Sequence, residues 1–400
     1  MMSSRAVRLV LWLLSFVAMT AATRHAHADQ YLVQPGESWD SLGPKLKAGD
    51  EILLKPGVHR PASFTALQGS TLAPIIIRCS EVGKLTQIAP EREAIKLVDC
   101  KHIRVQGIGI LNARRAGILI ESTTRFASED ISIHDVMING VKGLAEESGI
   151  VARGVTSLDI RRCRIENCAG NGVQIEECEQ VTIVVGQILA IKPSPMKTGI
   201  ALLGRVWNTQ IENVVIMGSI TTGISLGMNM VAPAASATAA PQPLEIVAAP
   251  PSEPLVRFLS VANCRGARLM RFLEIGSCAD AVVRNCTVAE PHEEVYSIQR
   301  IPAGYPPMHL EMRDCLIEWT PGALRRFGFV AEGADASGFT LGSNLWFSKE
   351  IPLALELLGP KGAPFPGTLE APQRMDIDPR LSELFYPLAA EAAAFGAPKP

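Results

Sequence analysis

The sequence predicts an all-β chain: a single-stranded parallel β-helix, a solenoid of roughly ten coils with capping segments. Two observations carry this. First, a small residue precedes Ile or Val at 93–95 (EAI), 116–118 (AGI), 148–150 (SGI), 171–173 (NGV), 198–200 (TGI) and 222–224 (TGI). The middle residues Ala94, Gly117, Gly149, Gly172, Gly199 and Gly223 are 23, 32, 23, 27 and 24 positions apart. The two long gaps read as the same unit with a loop inserted. Second, each unit alternates. The small residue is followed by IKLVDC (95–100), ILIEST (118–123), IVARGV (150–155), VQIEEC (173–178) or IALLGR (200–205), where first and third positions are apolar and Ala152 is the small exception. A second strand follows: IRVQGIGI (103–110), ISIHDVMI (131–138), LDIRRCRI (158–165), VTIVVGQI (181–188) and TQIENVVI (209–216). Its third position is Ile or Val and its eighth is always Ile. Short period-two strands repeated at this interval define a β-solenoid, because no coil buries its inward face alone. Stacked coils then bring equivalent side chains within the inter-strand spacing of about 4.8 Å. A leucine-rich repeat would need an LxxLxL frame with asparagine, which these units lack.

The segments follow in order. Arg5 and Arg8 precede the apolar run Leu9–Met19, and AHA (26–28) supplies small residues at −3 and −1. This pattern predicts a signal peptide over 1–28, cleaved between Ala28 and Asp29. The apolar run is too short to span a bilayer comfortably, so the expected mature chain has no membrane anchor and is exported, periplasmic or extracellular. Residues 29–60 are expected to form an N-terminal cap and first coil. Within them YLVQPGESWDSL (31–42) is similar to the opening of a LysM glycan-binding module, but too few residues precede Gly49 for that domain. Coils are expected over 61–226. The Ala/Pro-rich stretch 227–254 reads as a flexible insertion, after which coils resume over 255–350. Residues 351–400 read as an irregular C-terminal cap or tail.

Lys+Arg 38 against Asp+Glu 40 gives a formal net charge of −2. That balance gives no global reason to expect nucleic acid or an acidic membrane as partner. It leaves room for a local basic groove. Nothing in the sequence specifies an oligomeric state.

Further motifs carry a resemblance. The entry GDEILLKPGVHR (49–60), APIIIRC (73–79) and GKLTQIAP (83–90) resembles the first coils of polysaccharide lyases related to chondroitinase B and alginate lyase. SNLWF (343–347) and IDPRLSELFYPLA (377–389) resemble the closing stretch of the same proteins. The chain is thus similar to the right-handed parallel β-helix (PbH1-repeat) proteins of the pectate-lyase-like superfamily. The resemblance implies a right-handed helix and a polysaccharide as possible partner. A lyase of this type would bring a Lys or Arg base to the sugar C5 proton and hold the uronate carboxylate with arginine or a cation; calcium would enter only in that case. The family's catalytic Lys and Arg motif maps onto no position here. The Asp-Pro-His-Asp run of mannuronan epimerases is also missing, since EDISIHD (129–135) lacks the proline. So are the clustered aspartates of pectate lyases and the NTD and DD pairs of galacturonan hydrolases. The expectation is therefore an exported polysaccharide-binding or structural protein without catalysis or cofactor. The alternative is a polysaccharide lyase, or related carbohydrate-active enzyme, acting on an acidic polysaccharide.

The nine cysteines are odd in number and form no CxxC pair, so neither a full disulfide framework nor a zinc site is implied. Cys163, Cys286 and Cys315 share a coil position with Ile108, Val136 and Val214, which makes it an apolar interior column. Cys100, Cys178 and Cys278 form a second column, and Cys168 has no counterpart. Among charged residues, Glu121, Arg153 and Glu176 fall in one outward column and predict a cross-strand ion-pair ladder. Arg153 alone would suit a uronate carboxylate. His134 stacks beside Arg161, and Asp135 beside Arg162. A histidine facing an arginine is a candidate base, although a solvated surface pair is the simpler reading. Lys192 and Lys197 in one loop, with Arg125 in another, are expected to flank a carbohydrate groove; plain solvation is again the simpler reading. No metal ligands are expected.

Overall fold

The computed structural model describes residues 28–81, 86–89, 92–142, 147–191, 195–228, 253–301, 305–320, 323–348, 368–369, 378–383 and 385–398. They form a parallel β-helix. Each coil has three short strands, termed a, b and c in chain order. In one coil these are Lys101–Gln106, Gly109–Ala113 and Ala116–Glu121; in the next, Ser128–His134, Met137–Val141 and Ser148–Arg153. Among the described residues ten coils carry all three, from the a strand Glu51–Leu54 to the a strand Met308–Arg313. Every pairing between consecutive coils is parallel, such as Ile103↔Ile131↔Leu158 on the a face and Ile95↔Ile118↔Ile150 on the c face. In the strands Val215–Met228 and Arg265–Ile275, b and c run together without a break.

One expectation needs correcting. The eight-residue stretch read as a single second strand is two strands, a and b, separated by a left-handed residue. That residue is Gly107, Asp135, Arg162, Val185, Asn213, Asn263, Asn285 or Asp314 in successive coils, with φ between 51° and 67°. The sequence held the clue. Positions three and eight differ by five, an odd number, so an unbroken strand would send them to opposite faces. Both point inward because the turn resets the alternation. Asn, Asp and Gly dominate the column because they tolerate this conformation best.

The glycine that marks each c strand is required by the stack itself. A Cβ on Gly117, Gly149, Gly172 or Gly199 would lie 2.6–2.7 Å from the carbonyl oxygen of the glycine one coil on. The same Cβ would press on Ile138, Ile165, Ile188 or Ile216 from the neighbouring b strand. Glycine therefore lets the isoleucine column pack at the b–c corner.

All nine cysteines are buried and free. Cys163, Cys264, Cys286 and Cys315 each follow the left-handed corner residue, a column that ends in buried Asn344. Asn344 Oδ1 accepts from the Cys315 amide at 2.9 Å, and its Nδ2 donates to the carbonyls of Met312 and Gly342. Cys100, Cys178 and Cys278 stack with Ser128, Val155, Val206 and Val256. Cys168 pairs with Val141, which pairs with Ala113, in a third interior column. It has counterparts after all; the repeat simply fills their places with other small apolar residues. Burial pushes the thiols of Cys163, Cys168, Cys178 and Cys278 up to about 12.

At the N-terminal end Trp39 is fully buried, donates from Nε1 to the Arg60 carbonyl at 2.7 Å and meets Phe64 edge-on at 5.5 Å. It closes the apolar interior there. At the other end Phe327 stands edge-on to both Trp319 and Trp346. Residues 385–398 lie along the side of the solenoid. Ala392 and Phe395 cover Leu316 and Leu345, and the Ala397 amide donates to Thr287 Oγ1 at 2.9 Å. Residues 1–27 of the expected signal segment, and 229–252 of the expected insertion, lie outside the described residues.

Two outcomes follow. Gly172→Ala should cost about 1–3 kcal/mol by overpacking, whereas Gly186→Ala should be tolerated, since its Cβ meets nothing closer than 3.5 Å. Thermal melts followed by circular dichroism would compare them. A thiol reagent at neutral pH should find no fast-reacting cysteine in the folded protein and nine in denaturant.

Candidate functional site

The outer side of the c strands carries the densest polar organisation. Arg153 lies in register between Glu121 and Glu176. It donates from Nε to Glu176 at 2.6 Å and from Nη1 to Glu121 at 3.2 Å. Lys96 extends the row, its Nζ 2.9 Å from Glu121. On the other side Gln174 donates from Nε2 to Glu176, while Asn171 Nδ2 and Ser148 Oγ donate to Gln174 Oε1 at 2.6 and 2.9 Å. Burial alone would push the Glu121 carboxyl up, but Lys96 and Arg153 outweigh it and hold the group below its ordinary range. Burial likewise opposes charge on Arg153, and Glu176 and Glu121 overcome it. Further along, Arg271 meets Glu274, Glu293 and Glu294 within 3.3 Å, and Arg326 reaches Glu294 at 3.0 Å. These side chains point away from the core, yet Ser148, Asn171, Gln174, Glu176 and Glu294 are buried. Their charges are committed to one another.

Lys96 also borders a cavity of about 700 Å³ on the outer side of the first coils. Its wall is made by Asp40, Arg60, Ser63, Arg92, Glu93 and Lys96, with Val58 as an apolar patch. Arg60 and Arg92 are exposed, and Val58 is 54% exposed. Glu93 is already engaged by Arg115 of the following coil at 3.3 Å, with Arg92 at 3.9 Å. Glu93 is thus shared by two guanidinium groups, while Arg60, Lys96 and Asp40 complete the charged lining. Sequence reasoning missed this site. Its residues come from separate segments of the cap and first two coils, and the motifs that hold some of them were read as scaffold rather than as a site.

The residues expected to face carbohydrate do not converge. His134 and Arg161 are in register on the a face. Between them sits Asp159, which stacking had not placed there. It lies 3.0 Å from His134 Nε2 and receives Arg161 Nε at 2.7 Å on both oxygens. The expectation of a histidine facing a bare guanidinium is therefore corrected. Arg162 grips Asp135 through two bonds of 2.6 and 2.7 Å. Arg125 sits in the turn after a c strand, stacked on Phe126 and 3.6 Å from Glu179. Lys197 is exposed at the opposite end of a c strand three coils later, so one groove does not hold both. Lys192 lies outside the described residues. Among the described residues no three His, Cys, Asp or Glu side chains converge as metal ligands.

No protein-family model and no curated protein matches this chain. Solved structures do. An alginate lyase from Paenibacillus sp. str. FPU-7 superposes with a TM-score of 0.50 at 12% identity, over 87% of this chain and 99% of that one. A GH136 lacto-N-biosidase from Eubacterium ramulus gives 0.51 at 12% identity, over 94% and 72%. What they share with this chain is the fold. At that identity the catalytic residues of neither can be carried over.

The ladder gives a checkable outcome. Arg153→Met leaves buried Glu176 without its cation and should cost about 1–3 kcal/mol. Because the Glu121 value is lowered in the fold, its stabilisation is present above the unfolded value of about 4 and lost as pH falls through the lower folded value. Urea unfolding of wild type and Glu121→Gln should therefore differ at pH 7 and converge towards pH 3.

Proposed function

We propose that this protein is exported and binds a polysaccharide without cleaving it, using the cavity of the first coils as its principal contact. The observation behind this reading is the pair of exposed guanidinium groups of Arg60 and Arg92, with Lys96 at the edge shared with Glu121, around an open space of about 700 Å³. That volume is in the range of natural small-ligand pockets and admits a few sugar units. Guanidinium groups donate in a planar fork suited to carboxylate or sulfate oxygens, and to hydroxyl pairs. Val58 offers an apolar surface for a sugar ring. Both solved structures named above are of carbohydrate-active enzymes, which agrees with a glycan partner but rests on fold alone.

The way the charges are spent speaks against cleavage. A lyase needs a base free to take a proton, and a general acid must hold one at working pH. In the c-face row Glu121 is held ionised and Arg153 is shared between two carboxylates. On the a face Asp159 occupies both His134 and Arg161.

Alginate, pectate, chondroitin and heparin provide the test, with calorimetry for binding and ultraviolet absorbance for unsaturated product. The expected result is binding to at least one polymer with no absorbing product. Arg92→Ala combined with Lys96→Ala should weaken that binding tenfold or more, since a hydrogen bond to a charged group contributes about 1.5–3 kcal/mol. Absorbing product would replace this reading with a polysaccharide lyase, and undiminished binding by the double variant would remove the cavity from it.

A further inference from the structure

The start of the described chain holds a buried carboxylate with no cationic partner among the described residues. Asp50 is 2% exposed, in the turn just before the first a strand. Its Oδ2 accepts from the Lys47 amide at 2.8 Å, and its Oδ1 accepts from the Asp29 amide at 2.9 Å. Among the described residues no Lys, Arg or His side chain pairs with it. The charged groups nearby are otherwise occupied or point elsewhere. Glu51 is paired with Arg78 at 2.8 Å, and Lys47 is exposed and offers Asp50 only its backbone. The Asp29 carboxylate adds negative charge, and both Asp50 and Asp29 act, after burial, to raise the Tyr31 phenol. A buried carboxylate held by two neutral amides is costly unless a positive charge reaches it.

One of those two amides belongs to the residue where the signal-peptide pattern ends. We propose that the mature chain begins at Asp29, and that its new α-ammonium supplies the counter-charge for Asp50. Hydrolysis of the Ala28–Asp29 peptide bond by a processing peptidase adds one water. Ala28 leaves as a carboxylate, and the Asp29 nitrogen becomes an ammonium at the position its amide already occupies. Ala28 and Asp29 are both exposed, so a charged terminus can be accommodated there. The Asp29 carbonyl accepts from the Glu51 amide at 2.9 Å, and Gln30–Val33 pairs in parallel with Glu51–Leu54. The terminus is therefore anchored as the first strand of the a sheet. Processing thus turns a neutral hydrogen bond into a charge-assisted one and locks the cap onto the first coil.

This inference is independent of any glycan. The full chain is secreted from a bacterium that expresses it and its terminus read by intact mass; Asp29 is the expected first residue. The secreted protein is then compared with the same protein acetylated at its α-amino group, which removes the charge while keeping a hydrogen-bond donor. Acetylation should lower the melting midpoint by several degrees at pH 6. The sign with pH follows from Asp50 raising the amine's folded value above its unfolded value of about 8. The advantage of the free amine is full below that value and is lost as pH rises through the folded one. In Asp50→Asn the free and acetylated forms should melt together. A terminus elsewhere, or equal midpoints for the two forms of the wild type at pH 6, overturns the proposal; neither result bears on glycan binding.

Discussion

Everything in this fold depends on one spacing. Parallel coils stack at about 4.8 Å, so each side chain meets the residue at the same position one coil away. The columns this creates are self-consistent or fail together. Isoleucine upon isoleucine fills the interior, glycine upon glycine lets carbonyls approach at the b–c corner, and Asn, Asp or Gly recurs where the backbone turns left-handed. Cysteine enters the same columns as a small apolar residue. That is why the chain can carry nine cysteines, all of them free and buried.

The same spacing explains where charge is allowed. An outward column of like charges would repel at every rung, so the c face alternates: Glu121, Arg153, Glu176. The ladder is a solution to stacking before it is anything else. Charge also gathers at the first coils, beside the cap. There the cap and incomplete neighbours leave a cavity that Arg60, Arg92 and Lys96 line. The carboxylate of Asp50, one step before the first strand, belongs to the same boundary. The proposed contact site thus lies at the beginning of the solenoid rather than along its length.

Much of the fold was legible in the sequence because a column is a repeat, and a repeat is visible. The glycine positions, the ladder partners and two cysteine columns all follow from aligning equal units. Cys168 was harder, since its column holds Val141 and Ala113 in the preceding coils and cysteine is not the recurring feature there. The candidate site was hardly legible. Arg60 and Arg92 both sit at the b–c corner, in the first and second coils, but the repeat was aligned only from Ala94 onward and left the first coil out. Asp159 was missed for a related reason: its side chain reaches sideways and along the rung to His134 and Arg161, crossing columns that sequence alignment keeps separate.

The sequence by itself determined the fold class, the coil period, the inward face of each strand and which residues stack, since all of these are periodic and periodicity survives in one dimension. It could not determine which charged residues remain open to a partner. That depends on how loops and neighbouring columns share their hydrogen bonds. Only the tertiary structure showed Arg153 spent between two glutamates, Asp159 interposed on the a face, and a basic cavity left at the first coils.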